Sequence, residues 1–375
     1  MSSISAETLL KRHQKLSETL KAGGFAGAVF NPGPSLVYFT GMHFHLSERP
    51  VVLLFAPGQA PALVLPELEA LKAQGLEYEL NAFPYPEDPS LWGAAFEKAV
   101  AAVGLSSGRM AIEARSMRYL ELGFLQDVMP EVKFVTAEES IAKIRMYKDA
   151  EEVAAMRKAA QVAQEALQAT MPAIKVGASE REIANELTIQ LLKHGSEPEI
   201  PFSPIVASGP NSANPHAFPT DRKLQEGDLL IIDWGASIEG YFSDITRTFA
   251  IGEVEEEYKR IHEVTLMANT AAREIAGPGI TCGAVDREAR DVIEDNGYGE
   301  YFTHRTGHGL GMEGHEDPYI RSDNTLPLET GMTFTIEPGI YLPGRGGVRI
   351  EDDVLVTEDG LESFTDLPRE LITIN

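Results

Sequence analysis

The hydrophobic positions of this chain change period several times, and the changes outline its elements. Leu9, Leu10, Leu16 and Leu20 recur at helical spacing and predict an amphipathic helix across residues 1–20. Short apolar runs at 26–30, 51–55, 62–65 and 110–113 have the length of buried strands, and a helical stretch at 91–103 lies between the last two. This alternation predicts a smaller α/β domain over residues 1–140. The NPGP run at 31–34 and the FPYP run at 83–86 read as loops. Past a seam near 141–148, Asp149 and Glu152 form a capping box, and Val153, Met156, Ala160, Ala163 and Leu167 follow as a stripe of period 3.6. Another helix opens at Ser179 with Glu182 and stops at Gly195.

The second domain, 141–375, repeats itself. Placing Pro172 on Pro278 aligns PAIKVGASEREIA with PGITCGAVDREAR, with six identities in thirteen positions at an offset of 106. Two hairpin patterns obey nearly the same spacing: LLIIDWGASIEGYFSD at 229–244 carries Asp233 and Asp244, and 334–353 carries Glu337 and Glu351. Two copies of one helix-helix-hairpin unit, packed about a pseudo-twofold axis, would bring the two pairs of acids face to face. Alternation along a strand puts Arg349, Glu351 and Asp353 on one face, and Ile231, Asp233 and Gly235 on another.

Carboxylates set among Leu, Ile and Phe are costly to bury unless paired, hydrogen-bonded or bound to metal. A salt-bridge network would need cations, and only Arg349 and Arg247 lie near in sequence. Two divalent ions would neutralise four acids. An imidazole would complete such a centre, and HRTGHGLGMEGHE supplies three candidates, His304, His308 and His315. Its glycines lack the GxGxxG spacing of a phosphate cradle. His216 lies in a Pro- and Asn-rich loop, where function is commoner than packing. His43 and His45, one residue apart, have the spacing of a metal pair on a strand, but no carboxylate motif accompanies them and they read as ordinary loop or interface residues. Four oxygen donors and one imidazole suit manganese, cobalt, iron or zinc better than copper.

Composition narrows the class. A chain of 375 residues holds two or more domains, and its net charge of −25 disfavours nucleic acid and anionic lipid. Nearly all of that charge, −23, falls on residues 149–375. The single cysteine, Cys282, excludes an intrachain disulfide and reads as a small structural residue in a turn between helices. No apolar run reaches the ~20 residues of a membrane span, and the opening residues lack a secretory pattern. Cytoplasmic location is expected.

At these residues the chain resembles the creatinase, prolidase and aminopeptidase P group of pita-bread metallopeptidases, relatives of the methionine aminopeptidases. The resemblance implies an α+β, pseudo-twofold catalytic domain at 141–375 behind a creatinase/prolidase-type N-terminal domain. It implies Asp233, Asp244, His308, Glu337 and Glu351 as ligands of two divalent ions, manganese foremost, and His216, His304 and His315 as substrate and transition-state residues. Arg349 matches the arginine beside the last ligand, while Gly314 departs from the β-branched residue usual before His315. The implied reaction is hydrolysis of the bond between an N-terminal residue and proline in a short peptide, by a homodimer. Glu337 would shuttle the proton, His315 or His304 would stabilise the oxyanion, and His216 would position the substrate. An Xaa-Pro dipeptidase is favoured slightly over an aminopeptidase P. A non-catalytic peptide-binding protein and a non-peptidase enzyme on the same scaffold are the other classes.

Overall fold

The computed structural model describes residues 4–375, so the first three positions of the helix predicted over 1–20 lie outside the described residues. The chain divides into two units, Met1–Arg145 and Met146–Asn375.

The first unit is built on a six-stranded sheet. Its order is Asn81–Tyr85, Ala62–Pro66, Val52–Phe55, Gly27–Phe30, Gly108–Ile112, Val132–Thr136. Helix Trp92–Val103 presses Phe96, Ala99 and Val103 onto Val29, Val52 and Leu54. Helix Ala6–Ala22 buries Leu9, Leu16 and Leu20, but Leu10 is 54% exposed because adjacent helical positions lie about 100° apart. The FPYP segment corrects the loop expected at 83–86. Phe83, Pro84 and Tyr85 belong to an edge strand, where the N–H that proline lacks is not required. His43 and His45 are exposed and lie in a loop.

The second unit has two similar halves. Helices Ala150–Thr170 and Glu180–Lys193 begin with capping boxes at Asp149/Glu152 and Ser179/Glu182. They cover a sheet ordered Ile372–Ile374, Ile245–Ile251, Leu229–Trp234, Ile205–Ser208. Helices Glu256–Ile275 and Cys282–Asp295 cover the second sheet, ordered Glu316–Ile320, Gly307–Gly309, Thr333–Ile336, Asp352–Thr357, Gly360–Ser363. Each central antiparallel pair carries a small inset hairpin, Ser237–Ile238 with Tyr241–Phe242 in one half and Gly339–Leu342 with Gly346–Arg349 in the other. The two sheets touch at an antiparallel bridge between Thr246 and Glu351.

The repeat stands, but its register in this region differs from the offset of 106. Gly177 N–H donates to Leu224 O and Gly279 N–H to Leu328 O, while Leu224 and Leu328 donate back to Ala178 and Ile280. Ser179 and Thr281 are the two N-caps, and each helix after them has 14 residues. The structural offset is therefore 102. Buried Ile183, Leu187 and Leu191 correspond to Val285, Ala289 and Ile293. A slip of four residues, about one helical turn, preserves the amphipathic pattern and so escapes a sequence comparison. The same shift makes Cys282 the first residue of its helix rather than part of a turn.

Candidate metal centre

Alternation gives the central strand of the first half two faces. Leu230, Ile232 and Trp234 enter the core beneath the helices, and Trp234 Nε1 donates to Ala163 O at 2.8 Å. Asp233 is thereby turned to the opposite side. On the paired strand, Thr246 and Thr248 face the same way. Thr246 Oγ1 donates to Glu351 Oε2 at 2.6 Å, and Thr248 Oγ1 to Arg349 O at 2.9 Å. Arg247, one position out of phase, is buried against Asp352 at 2.8 Å and is not available to the other acids. Asp244 follows the inset hairpin, and its N–H donates to the Asp353 carboxylate at 3.0 Å.

The second half brings Glu337, Glu351 and the histidines. Gly307 and Gly309 flank His308 where a Cβ would stand 1.8 Å from Thr335 O or 2.3 Å from Asp317 O, so only glycine lets the strand lie this close. His308 N donates to Thr335 Oγ1 at 3.2 Å, and its Nδ1 meets Gly309 O at 3.2 Å. A carbonyl can only accept, so the proton sits on Nδ1 and the neutral ring points a lone pair from Nε2. That atom lies 3.4 Å from Glu337 Oε1 and 3.7 Å from Asp244 Oδ2. Donor atoms of Asp244, His308 and Glu351 all fall within 4.8 Å of one another.

Arg349, 3% exposed, is the cation that bonds into this cluster. It donates to Asp233 Oδ2 at 2.5 Å, to Tyr341 OH at 2.9 Å and to Thr246 Oγ1 at 3.1 Å. Asp233 Oδ1 is buried and has no hydrogen-bond partner. Burial raises the pKa of Asp244 well above the carboxylate range, reinforced by Glu351 and Asp233, and raises Glu351 likewise, with Glu337 and Asp233 adding to it. Burial also lifts Glu337 to about 8 against the opposing pull of Arg349. His308 is pushed down by burial and then by His315. A dication held here would offset each of these costs, with the orphaned Asp233 Oδ1, the Nε2 lone pair of His308 and the buried acids as the groups able to hold it. The residues present fit a divalent ion.

His304 packs beside this group. Its Nδ1 donates to Arg305 O at 2.7 Å, which leaves Nε2 to accept from Tyr341 OH at 2.9 Å. Burial, then Arg349, lowers its pKa to about 3, consistent with that neutral ring. His315 is exposed, with its ring centroid 4.0 Å from that of His308. His216 is also exposed, on a loop whose Pro215 O accepts from Arg349 Nη1 at 3.3 Å. The structure thus gathers Asp233, Asp244, His304, His308, His315, Glu337, Arg349 and Glu351, and holds His216 on the adjoining loop.

Sequence reasoning misses Tyr341, Thr246 and Thr335 as partners. Thr246 could have been found, since it lies two residues after Asp244 on the same face of a strand. Tyr341 carries no such signal, because its importance comes from a hairpin that folds it onto Arg349 and His304.

Residues 154–358 match metallopeptidase family M24, and residues 12–147 match the creatinase/prolidase N-terminal domain. The chain belongs to metallopeptidase family M24. It is similar to a dipeptidase from Pyrococcus horikoshii at 40% identity and a TM-score of 0.91, covering 97% of this chain and 100% of that one. A prolidase from Thermococcus sibiricus gives 34% identity and a TM-score of 0.92, covering 99% and 100%. An Xaa-Pro dipeptidase from Lactobacillus helveticus is 37% identical over 338 residues, covering 90% of this chain and 92% of that protein. This M24 metallopeptidase accordingly has the pita-bread fold behind a creatinase-type domain and binds divalent metal. No helix among its described residues is long and apolar enough to cross a membrane.

Proposed function

We propose that this M24 peptidase hydrolyses Xaa-Pro dipeptides, with residues 1–140 as its N-terminal domain and 141–375 as its catalytic domain. The observation that carries the reading is convergence: Asp244, His308 and Glu351 donors lie within 4.8 Å of one another, beside an unpartnered Asp233 oxygen. Asp233, Asp244, His308, Glu337 and Glu351 hold two divalent ions, and the donor set favours Mn2+ ahead of Co2+, Zn2+ or Fe2+. When bound, the ions polarise the scissile carbonyl and activate the attacking water.

The remaining work belongs to side chains. Glu337 takes the water's proton and passes it to the departing proline nitrogen. The protonated nitrogen of His304 is committed to Arg305 O, so His315 is the imidazole that donates to the oxyanion. Arg349 holds the Asp233 carboxylate in place and, through Tyr341, orients His304. His216 positions the substrate from the loop. A tertiary Xaa-Pro amide has no N–H for strand-like recognition, which suits a pocket that reads shape and carboxylate instead. The enzyme acts as a homodimer in the cytoplasm.

Metal-loaded protein assayed on alanyl-proline, alanyl-prolyl-glycine and a proline-free dipeptide tests this. Turnover of the first alone supports a dipeptidase. Release of alanine from the tripeptide shifts the assignment to aminopeptidase P, and inertness with ions bound overturns both.

A further inference from the structure

We propose that Glu180 is a positioning residue for peptide hydrolysis: it clamps both ends of the 209–219 loop and so determines where His216 stands. The inference rests on the reading of His216 as a substrate-positioning residue. Glu180 is the first residue of helix Glu180–Lys193, is 0% exposed and lies in the wall of the first half rather than among the acids of the centre. Its Oε1 accepts from Ser208 N at 2.7 Å and Ser208 Oγ at 2.8 Å. Its Oε2 accepts from Thr220 N at 3.0 Å and Thr220 Oγ1 at 2.6 Å. Asn211 Nδ2 adds a shared bond at 3.0 and 3.1 Å. Ser208 and Thr220 are the residues on either side of the loop, so one carboxylate closes it.

A buried carboxylate taking neutral donors alone is held by the number of those bonds and by the helix N-terminus it occupies. Only an acid meets this demand. A glutamine would turn two N–H groups toward donors that need an acceptor. The backbone reinforces the clamp, with Glu180 N donating to Arg222 O at 3.1 Å and Arg181 N to Thr220 O at 3.0 Å. The middle of the loop is anchored to the hairpin that carries Arg349. Gly347 N donates to Ser212 Oγ at 2.9 Å, and Arg349 Nη1 to Pro215 O at 3.3 Å. His216 comes next in the chain, its ring exposed.

The second half contains a parallel device. Buried Asp286, on helix Cys282–Asp295, accepts from Thr306 N at 2.9 Å and pairs with Arg290, which donates to His304 O at 2.9 Å. Each half hangs its histidine-bearing segment from an acid on its second helix.

A double-mutant cycle on the full-length, metal-loaded protein with alanyl-proline tests the assignment. In the wild-type background E180Q is expected to lower kcat/KM on the order of 10- to 100-fold, as a misplaced positioning group does. In an H216A background the same change should cost under about 2-fold, because the residue it positions is gone. T220V, which removes one hydroxyl donor at the loop's end, should give a smaller loss with the same dependence on His216, and it reads the clamp if E180Q folds poorly. Equal losses in both backgrounds, or none in the wild type, would overturn the role of Glu180 while leaving that of His216 intact. Full activity of H216A alone would instead remove the reading of His216 on which this one rests.

Discussion

Replacing Arg349 with methionine should destabilise the metal-free protein far more than the metal-loaded one. The guanidinium is 3% exposed and holds Asp233 at 2.5 Å, Tyr341 at 2.9 Å and Thr246 at 3.1 Å. Removing one partner of a buried, hydrogen-bonded charge pair costs about 3–5 kcal/mol, because the other charge stays buried and unpaired. For a folding unit the size of Met146–Asn375, each kcal/mol shifts Tm by about 2–4 °C, so the fall should be roughly 6–20 °C. The sign with pH follows from the neighbours. Arg349 pulls down Glu337 and Glu351, whose pKa values burial has raised, so its loss raises them further. Acids with pKa values higher in the fold than in the unfolded chain subtract stability as pH climbs above the unfolded value. The acids' share of the deficit should therefore stay flat from pH 4 to about 8, where both proteins hold them protonated, and grow as pH rises above the wild-type Glu337 value of about 8. Scanning calorimetry of chelator-treated protein across that range, repeated with saturating Mn2+, measures it. Metal should restore most of the loss, and R349K, which keeps the charge without the planar fork, should fall between. A metal-free R349M variant melting within about 2 °C of wild type near pH 8 would refute the claim that this cation sustains the acids.

Glu337→Gln should lower kcat by about 10²–10⁴-fold while elemental analysis still finds bound metal, and full retention of activity would remove Glu337 from proton transfer. His262 is 3% exposed with Nε2 unpartnered, and burial lowers its pKa to about 4. The unfolded chain therefore takes up a proton that the fold refuses, and about 3 kcal/mol of stability is lost as pH falls from 6.5 to 4; His262→Leu should flatten that part of the urea-denaturation profile. A Cβ added at Gly314 meets nothing within 4 Å, and this residue has no positive φ. Gly314→Ala should stabilise by about 0.4–1 kcal/mol and tighten the segment before His315, seen as slower amide exchange there.

Much of the centre was legible because its chemistry is written in short range. Acids inside apolar hairpins and glycines around His308 announce themselves, and caps at Asp149 and Ser179 need only four residues each. What could not be read depends on distance. Thr246 and Glu351 stand 105 positions apart and are joined by one hydroxyl, and Glu180 meets Thr220 only after a loop has closed. The repeat was visible but slipped by a turn, since helical periodicity tolerates a four-residue error. Pro84 misled for the opposite reason: its local signal was a loop, and the edge of a sheet admitted it.

The bridge between Thr246 and Glu351 is also a mechanical joint. Residues of the proposed centre stand on both sides of it, so an ion gripped there would work as a rivet between the two sheets. Withdrawing the rivet and prising the halves apart become one event, and the lifetime of the loaded centre should track the lifetime of the fold itself.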